Sequence, residues 1–298
     1  MVKIRDLQYL LAIDEHRHFG KAAEACFVSQ PTLSGQIIKL EQQLGLTLIE
    51  RQTRKVMLTQ AGEELILEAR NVIKAAKRFE LSAKNLLDPL AGDLHIGLIP
   101  TLAPYLLPHI ITDLNQQLPN INLYLHEKKT DNLLKALEDG ELDVLILPWL
   151  DEMEKYARFD LFNEPFVLAC ANTHPFCQQN TVSLNDLNEQ TLLTLEDGHC
   201  LRDQAMGYCF SAGAKEDQRF RATSLETLRY MVASNRGITL LPYLATLNVN
   251  VNDINYISFS KPIPKRTISL VIRQGYARMD CIREVVTSIT SSLDGVIN

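Results

Sequence analysis

Long apolar runs are missing from this 298-residue sequence. The longest, Val144 to Leu150, falls far short of the roughly 20 residues that a membrane-spanning helix needs. Met1-Val2-Lys3-Ile4-Arg5-Asp6 offers no apolar stretch of signal-peptide length, so a cytoplasmic protein without membrane attachment is expected. Gly and Pro are scarce, 13 and 12 residues, which argues against a fibrous or low-complexity chain. The six cysteines, at 26, 170, 177, 200, 209 and 281, are too sparse for a disulfide scaffold and lack the CxxC spacing of a zinc site. No Walker A loop and no GxGxxG is present. His126-Glu127-Lys128-Lys129-Thr130 begins like a zinc-protease motif but has no second His, so His126 reads as a strand-end residue. Neither a metal, a cofactor nor an enzymatic activity is expected. What is present, 46% hydrophobic and 22% charged residues, can bury a core, and the length suits a small module joined to a larger body.

The net charge of -6 would speak against a nucleic-acid partner if it were evenly spread. Residues 1–87 instead hold 13 Lys/Arg against 10 Asp/Glu, a net +3, and the remainder carries -9. Such asymmetry suggests a module that meets a polyanion, attached to a body that does not.

Within the basic part, Ile4, Leu7, Leu10 and Leu11 form a helical stripe ending near His16. Phe19, Ala22, Ala23 and Cys26 repeat the spacing in a second short helix, whose alanines permit close helix approach. After a turn at Phe27-Val28, Ser29 is a good N-cap, Pro31 is tolerated in the first turn, and Leu33, Ile37, Leu40 and Leu44 make the next stripe up to Gly45. Ser29, Gln30, Thr32, Ser34, Gln36 and Lys39 lie off that stripe. This is the pattern of a helix-turn-helix, in which Gln can read adenine, and Ser and Thr can bond base edges or phosphates. "LTLIERQTRKVMLT" then reads as a two-strand ribbon with Arg51, Arg54 and Lys55 at its tip, a wing suited to phosphates. A plain three-helix bundle with a solvated charged loop is the competing reading.

From 62 to 86, Leu65, Ala69, Val72, Ala76, Phe79, Ala83 and Leu86 alternate steps of four and three, the seam of a coiled coil. Such a helix either pairs with a second copy, placing two recognition helices on one duplex, or docks on its own domain. Asp88-Pro89-Leu90-Ala91-Gly92 breaks it and marks a hinge.

The body from residue 93 alternates strand and helix: 93–100, 103–118, 121–127, 131–139 and 142–148. That order implies parallel strands with helical crossovers. Further strands are expected near 166–171, 191–195, 219–222, 237–241, 254–259 and 266–273, with helices near 224–234 and 279–293. An α/β body of two lobes with a ligand crevice is a natural outcome. One segment stands apart, "LEDGHCLRDQAMGYCF". His199 and Arg202 beside Cys200 would lower its pKa and so favour the thiolate. In one continuous helix Cys200 and Cys209 would be roughly 13.5 Å apart along the axis and about 180° apart around it. A disulfide, with Cα atoms within about 7 Å, would require unwinding, so trapping of a Cys200 sulfenate by Cys209 would act as a switch. Two buried structural thiols are the plainer reading of the spacing alone.

"FGKAAEACFVSQPTLSGQIIKLEQQLGLTLIER" followed by "LTQAG" resembles the N-terminal signature of LysR-type transcriptional regulators, and the similarity runs through the whole chain. Within that family "HIGLIPT", "PYLLPHII", "LEDGHCLRDQAMG", "FRATSLETLR" and "GITLLP" resemble the members that sense hydrogen peroxide and activate oxidative-stress genes. The resemblance implies an N-terminal winged helix-turn-helix (1–61), a linker and dimerisation helix (62–87), a hinge (88–92) and a two-lobed α/β regulatory domain related to periplasmic binding proteins (93–298). Lobe one would comprise 93–165 plus 270–298, and lobe two 166–269. It also implies that Cys200 is the peroxide-reactive thiol and Cys209 the resolving one, joined in a reversible intramolecular disulfide. His199 and Asp203 would flank the sulfur, Thr101 and Thr130 would supply pocket hydroxyls, and Arg266 would support the thiolate. Implied partners are a double-stranded DNA operator, RNA polymerase, a thiol reductant system, and further copies of the chain as a dimer assembling to a tetramer. Arg219 departs from the family pattern, and Cys170, Cys177 and Cys281 lie outside its motifs. Two other functions fit the same residues: a regulator whose crevice binds a metabolite, and a thiol peroxidase with a DNA-binding appendage.

Overall fold

The computed structural model describes residues 1–51, 56–85, 88–247 and 253–297, and the chain divides into two units, 1–84 and 85–298. In the first unit, α1 (Ile4–His16) buries Tyr9, Leu10 and Ile13. Ile4, expected on the buried stripe, is 49% exposed because the first helical turn projects beyond the core. Then α2 (Phe19–Ala25) buries Ala22 and Ala23, and its cap is His18, whose Nδ1 accepts from the N–H groups of Gly20 and Lys21. Next comes α3 (Gln30–Leu44), which starts at Ser29, whose Oγ accepts from the Thr32 N–H at 3.3 Å, and ends at Gly45 in the left-handed conformation. Leu33, Ile37 and Leu40 are buried as expected, whereas Leu44 at the helix end is exposed.

Strands β1 (Ile49–Arg51) and β2 (Val56–Leu58) form the expected antiparallel ribbon, and Glu41 of α3 accepts from the N–H groups of Leu48 and Ile49 at its base. Arg54, Lys55 and the side chain of Arg51, the cations expected at its tip, lie outside the described residues. Helix α4 (Gln60–Asn85) follows, and here "LTQAG" acquires a physical meaning. Thr59 Oγ1 accepts from the Gly62 N–H at 3.0 Å and donates to the Thr47 carbonyl at 2.7 Å. A Cβ on Gly62 would stand 2.2 Å from the Leu48 carbonyl oxygen, so only glycine lets α4 sit this close.

The reading in which this helix docks on its own domain holds for its start. At its start Ile66 and Ala69 are buried in the first unit's core, with Leu65, the expected seam residue, only packed against it. Farther along, Val72, Phe79 and Ala83 are exposed and Ala76 half-buried, a row of apolar residues that the first unit does not cover. Leu86 lies outside the described residues.

The second unit opens with β3 (Gly92–Leu98), α5 (Ala103–Gln117), β4 (Ile121–Glu127), α6 (Thr130–Glu138) and β5 (Val144–Pro148), close to the expected spans. A 16-residue strand, β6 (Tyr156–Ala171), follows, of which only the last third was anticipated. Then come β7 (Thr181–Val182), β8 (Thr191–Leu195), α7 (Cys200–Ser211), β9 (Lys215–Ala222), α8 (Leu225–Ala233), β10 (Thr239–Pro242), β11 (Ile254–Phe259), β12 (Lys265–Arg273) and α9 (Met279–Leu293). The main sheet has the order β4-β3-β5-β12-β6-β11-β7, with β10 also on β6, while β8 and β9 pair separately in parallel.

The expectation of parallel strands holds for β3 with β4 and β5, but β12 runs antiparallel to β5 and β6, and β10 and β11 antiparallel to β6. The reason lies in two hydrophobic cores. One is built from residues within 94–161 and 268–293 together with Cys200 and Leu244, the other from residues within 166–259. β6 leaves the first core for the second and β12 returns, so the two crossing strands, lying side by side, must run in opposite directions.

Gly62→Ala is expected to destabilise the first unit by about 1–3 kcal/mol, the usual cost of overpacking, or more because the obstacle is backbone. Urea denaturation followed by circular dichroism checks this; a change under about 0.5 kcal/mol, the size of an ordinary surface substitution, would show that α4 can shift without cost.

Candidate functional site

Cys200 is the first residue of α7, and its side chain joins the first core while Leu201, Ala205, Met206 and Cys209 of the same helix join the second. The loop that delivers it, Glu196–His199, is clasped by Lys129: the ammonium pairs with Glu196 and donates to the Asp197 carbonyl at 3.2 Å. Gly198, at φ +87, permits this turn, and its missing Cβ leaves room for the Lys129 stem. Thr130, the next residue after Lys129, begins α6. Two helix N-termini, one ending in a hydroxyl and the other in a thiol, therefore meet at this point, and both favour negative charge.

Arg266 comes from β12, directly opposite Glu164 on β6. Its Nε donates to Glu164 Oε2 at 2.8 Å, and Nη2 stands 2.7 Å from the same oxygen as an ion pair while donating to the Thr101 carbonyl at 3.1 Å. The second oxygen of Glu164 accepts from the Leu244 N–H at 3.0 Å. Nη1 of Arg266 has no partner. Thr101 Oγ1 likewise lacks a hydrogen-bond partner, and His199 Nε2 stands 3.9 Å from Glu196 Oε1, beyond hydrogen-bond reach; Arg266, Thr101 and His199 are each no more than 5% exposed. Buried polar atoms are normally satisfied, and these lie on Arg266, which acts on the Cys200 thiol, on Thr101, whose carbonyl Arg266 holds, and on His199, the residue before Cys200.

Electrostatically the thiol is pulled in two directions. Burial raises the Cys200 pKa above its ordinary value, and the Thr130 hydroxyl, the Arg266 charge and the Leu201 N–H lower it by less, so the resting form is the thiol. This corrects the expectation drawn from neighbours in sequence. Arg202 is engaged with Glu216, Asp197 and Asp203 at 3.0, 3.2 and 3.4 Å, and its charge is spent on carboxylates. His199 is held below its ordinary pKa by burial and by Lys129, and is a neutral imidazole at pH 7. Asp203 is exposed and acts against the thiolate rather than for it. Cys209 is fully buried and burial alone pushes its thiol up to about 12. Nine residues separate it from Cys200 within unbroken α7, about 13.5 Å of helical rise.

Of the residues expected around the sulfur, Thr130 and Arg266 act on the Cys200 thiol, Thr101 is joined to Arg266 through its carbonyl, His199 is buried directly before Cys200, and Asp203 is exposed. Sequence reasoning missed Glu164 and Lys129, which hold Arg266 and the 196–199 loop; the pairing of β6 with β12 that places Glu164 has no local signature. Arg219, the departure from the family pattern, is exposed and pairs with Asp217. His126 does stand at the end of β4, where its Nε2 lies 3.0 Å from Nδ1 of His95 on the neighbouring strand.

A second surface is carried by α3. Ser29, Gln30, Pro31, Thr32 and Lys39 are exposed, and Ser34 and Gln36 half-buried. The Ser29 and Thr32 hydroxyls lie 2.8 Å apart, so both are fixed at the helix start.

Residues 4–63 match the lysR family of bacterial regulatory helix-turn-helix proteins, and residues 88–294 match the LysR substrate binding domain. The chain belongs to the LysR family. It is 51% identical over 99% of its length, and 97% of the relative's, to the DNA-binding transcriptional dual regulator OxyR of Escherichia coli. Among solved structures, a full-length OxyR from Pseudomonas aeruginosa is 34% identical, with a TM-score of 0.71 over 97% of this chain and 95% of that one. The oxidised form of an OxyR, 48% identical, covers 71% of this chain and all of its own, with a TM-score of 0.66. As a LysR-family helix-turn-helix protein the chain binds DNA, and its homologues are transcription regulators. Among the described residues no helix is long and apolar enough to cross a membrane.

Since burial governs the Cys200 thiol, its alkylation by iodoacetamide is expected to rise by about tenfold per pH unit past about pH 9, following the thiolate fraction. A mass-spectrometric time course at several pH values measures it. A plateau reached below about pH 8, the range of activated thiols, would mean that Arg266 and the helix N-termini outweigh burial.

Proposed function

We propose that this chain is a peroxide-sensing transcriptional activator whose signal is received at Cys200 and locked by Cys209. The observation that carries the reading is the set of buried polar atoms on Thr101, His199 and Arg266 that lack hydrogen-bond partners, together with a thiol on which Arg266 and the Thr130 hydroxyl act. Hydrogen peroxide is small, uncharged and able to accept and donate hydrogen bonds at both oxygens, which matches that set.

Thr101, Thr130 and neutral His199 orient the peroxide, and the Arg266 guanidinium offsets charge developing on the departing oxygen. The Cys200 thiolate attacks one oxygen, the O–O bond breaks, and the hydroxide that leaves takes up a proton as water. The product is a Cys200 sulfenic acid. Cys209 then attacks the Cys200 sulfur, forming the S–S bond and expelling the oxygen as a second water. Because the two residues lie at opposite ends of α7, the bond forms only as the helix unwinds, which couples oxidation to a backbone rearrangement. A thiol reductant system reverses it. Exposed Asp203 opposes the thiolate and so slows its attack on any oxidant.

The output uses the first unit. Ser29, Gln30, Pro31, Thr32, Ser34, Gln36 and Lys39 meet the operator's major groove, and Arg51, Arg54 and Lys55 its backbone. Val72, Ala76, Phe79, Ala83 and Leu86 meet the same row on a second copy, dimers assemble to a tetramer, and the bound assembly contacts RNA polymerase in the cytoplasm. In this reading the chain is organised as 1–61, 62–87, 88–92 and 93–298, with the last divided into two lobes.

Reduced full-length chain treated with near-stoichiometric hydrogen peroxide is expected to give a Cys200–Cys209 bridge, mapped by peptide mass spectrometry. Cys200→Ser should abolish the response, and Cys209→Ser should leave a sulfenic acid that dimedone traps. If both thiols stay free in the unaltered chain, the signal is instead a ligand of the groove formed by Trp149, Arg158, Asp203, Gln204 and Tyr208, where Gln204 Oε1 also lacks a partner.

Replacing Arg54 and Lys55 with Ala should weaken operator binding and flatten its salt dependence, the logarithmic slope falling by about one for each phosphate no longer neutralised. A fluorescence-anisotropy titration over a range of salt concentrations reads both. A changed base preference with an unchanged slope would remove the ribbon tip from the set of groups that meet the DNA backbone.

A further inference from the structure

Two thiols outside this machinery lie in contact. Cys170, near the end of β6, is fully buried, and its Sγ is 3.5 Å from the Sγ of Cys177 in the 3₁₀ turn 175–178. The Cys177 thiol donates to the Ala171 carbonyl at 2.9 Å, which leaves its sulfur to accept from Cys170. Cys177 is partly exposed, so one sulfur of the pair is reached from solvent and the other is not.

The backbone between them is already closed into a tight loop. The His174 N–H donates to the Ala171 carbonyl at 2.9 Å and the Cys177 N–H to the His174 carbonyl at 3.0 Å. The His174 ring accepts from the Phe176 N–H at 3.2 Å. Going from 3.5 Å to the length of about 2.05 Å in a disulfide brings the sulfurs together by roughly 1.5 Å. Side-chain rotation and small backbone adjustment supply that much, and no helix has to unwind.

The surroundings also select the oxidant. Burial and the neighbouring Cys177 sulfur push the Cys170 thiol up to about 12, with no cation acting to lower it. None of the unpaired buried polar atoms is on a residue of this loop. Peroxide, whose leaving group is hydroxide, needs such help. A disulfide, whose leaving group is a thiolate, does not.

We propose that Cys170 and Cys177 form a second dithiol–disulfide couple in this chain, closed by exchange with a small-molecule disulfide and independent of Cys200. The Cys177 thiolate, its proton given to water, attacks one sulfur of RS–SR. That bond breaks, and the departing RS⁻ takes up a proton. Cys170, once deprotonated, attacks the Cys177 sulfur of the mixed disulfide, forming the intramolecular bond and releasing a second RS⁻. Two protein thiols are oxidised and one disulfide is reduced to two thiols. Exposed Cys177 is the entry sulfur and buried Cys170 the resolving one.

The test uses reduced full-length chain, held without oxygen, with glutathione disulfide as the probe. Free thiols are alkylated at intervals, and each cysteine is read by peptide mass spectrometry. A glutathione adduct on Cys177 should appear first and give way to a Cys170–Cys177 bridge. Cys170→Ala should hold the adduct on Cys177, and Cys177→Ala should leave Cys170 free. One equivalent of peroxide should bridge this pair at least about tenfold more slowly than glutathione disulfide in excess, while Cys170→Ala leaves peroxide-driven Cys200–Cys209 bridging unchanged. A pair that stays fully alkylatable, or a Cys177 adduct that never resolves in the unaltered chain, overturns the couple. Adducts first on Cys170 overturn the assigned roles, and faster closure by peroxide overturns the oxidant. The time course on the unaltered chain decides these points even if a variant fails to fold.

Discussion

The ion pair between Glu164 and Arg266 is the contact on which the second unit depends. Both side chains are almost completely buried, and they face each other across the two strands that pass between the lobes. Breaking such a pair by removing one partner leaves a lone charge in a dry interior, at a cost of about 3–5 kcal/mol. That is a large share of a domain's net stability. The pair also ties in elements beyond the strands, because Glu164 accepts from the N–H of Leu244 and Arg266 donates to the carbonyl of Thr101. The contact that keeps the crossing strands in register thus fixes where the guanidinium stands relative to the Cys200 sulfur. Fold and site are not separate designs here.

Magnitudes decide how the thiol behaves. Burial is the largest influence on Cys200, and the hydroxyl, the cation and the helix N–H together offset only part of it. A thiol kept protonated by its surroundings is protected from indiscriminate electrophiles. In the proposed sensing role, selectivity would rest on the oxidant: one that satisfies Thr101, His199 and Arg266 would gain hydrogen bonds, each worth about 1 kcal/mol net or more where a charge takes part. The neutral state of His199 suits this role, because a second cation beside Arg266 would favour anions over an uncharged oxidant.

Much of the first unit was legible from sequence because its rules are local. The cap at Ser29, the left-handed Gly45 and the buried stripe of α3 each follow from residues within a few positions of one another. The same holds for the boundaries of β3, α5, β4 and α6. What sequence could not supply depends on distant neighbours. The antiparallel return of β12 and the pairing of Glu164 with Arg266 join residues 102 positions apart. Arg202 misled for the same reason: two residues from Cys200 in the chain, it turns toward Glu216 on β9, a partner that only the folded sheet provides. Ile66 replaced Leu65 as the buried residue because the register of α4 is set by the backbone contact at Gly62, not by the heptad pattern alone.

Helix α7 belongs to two cores at once, with Cys200 in one and Leu201 onward in the other. It therefore works as a peg through a joint. Drawing the sulfur back toward Cys209 would withdraw the peg, leaving a void in one lobe and excess volume in the other, and close-packed interiors do not absorb such a transfer by gradual deformation. In the proposed switch the two cores would then have to repack against each other. A change at a single atom would thus be carried outward as a volume mismatch rather than as an electrical signal, amplified by the stiffness of the two cores it disturbs.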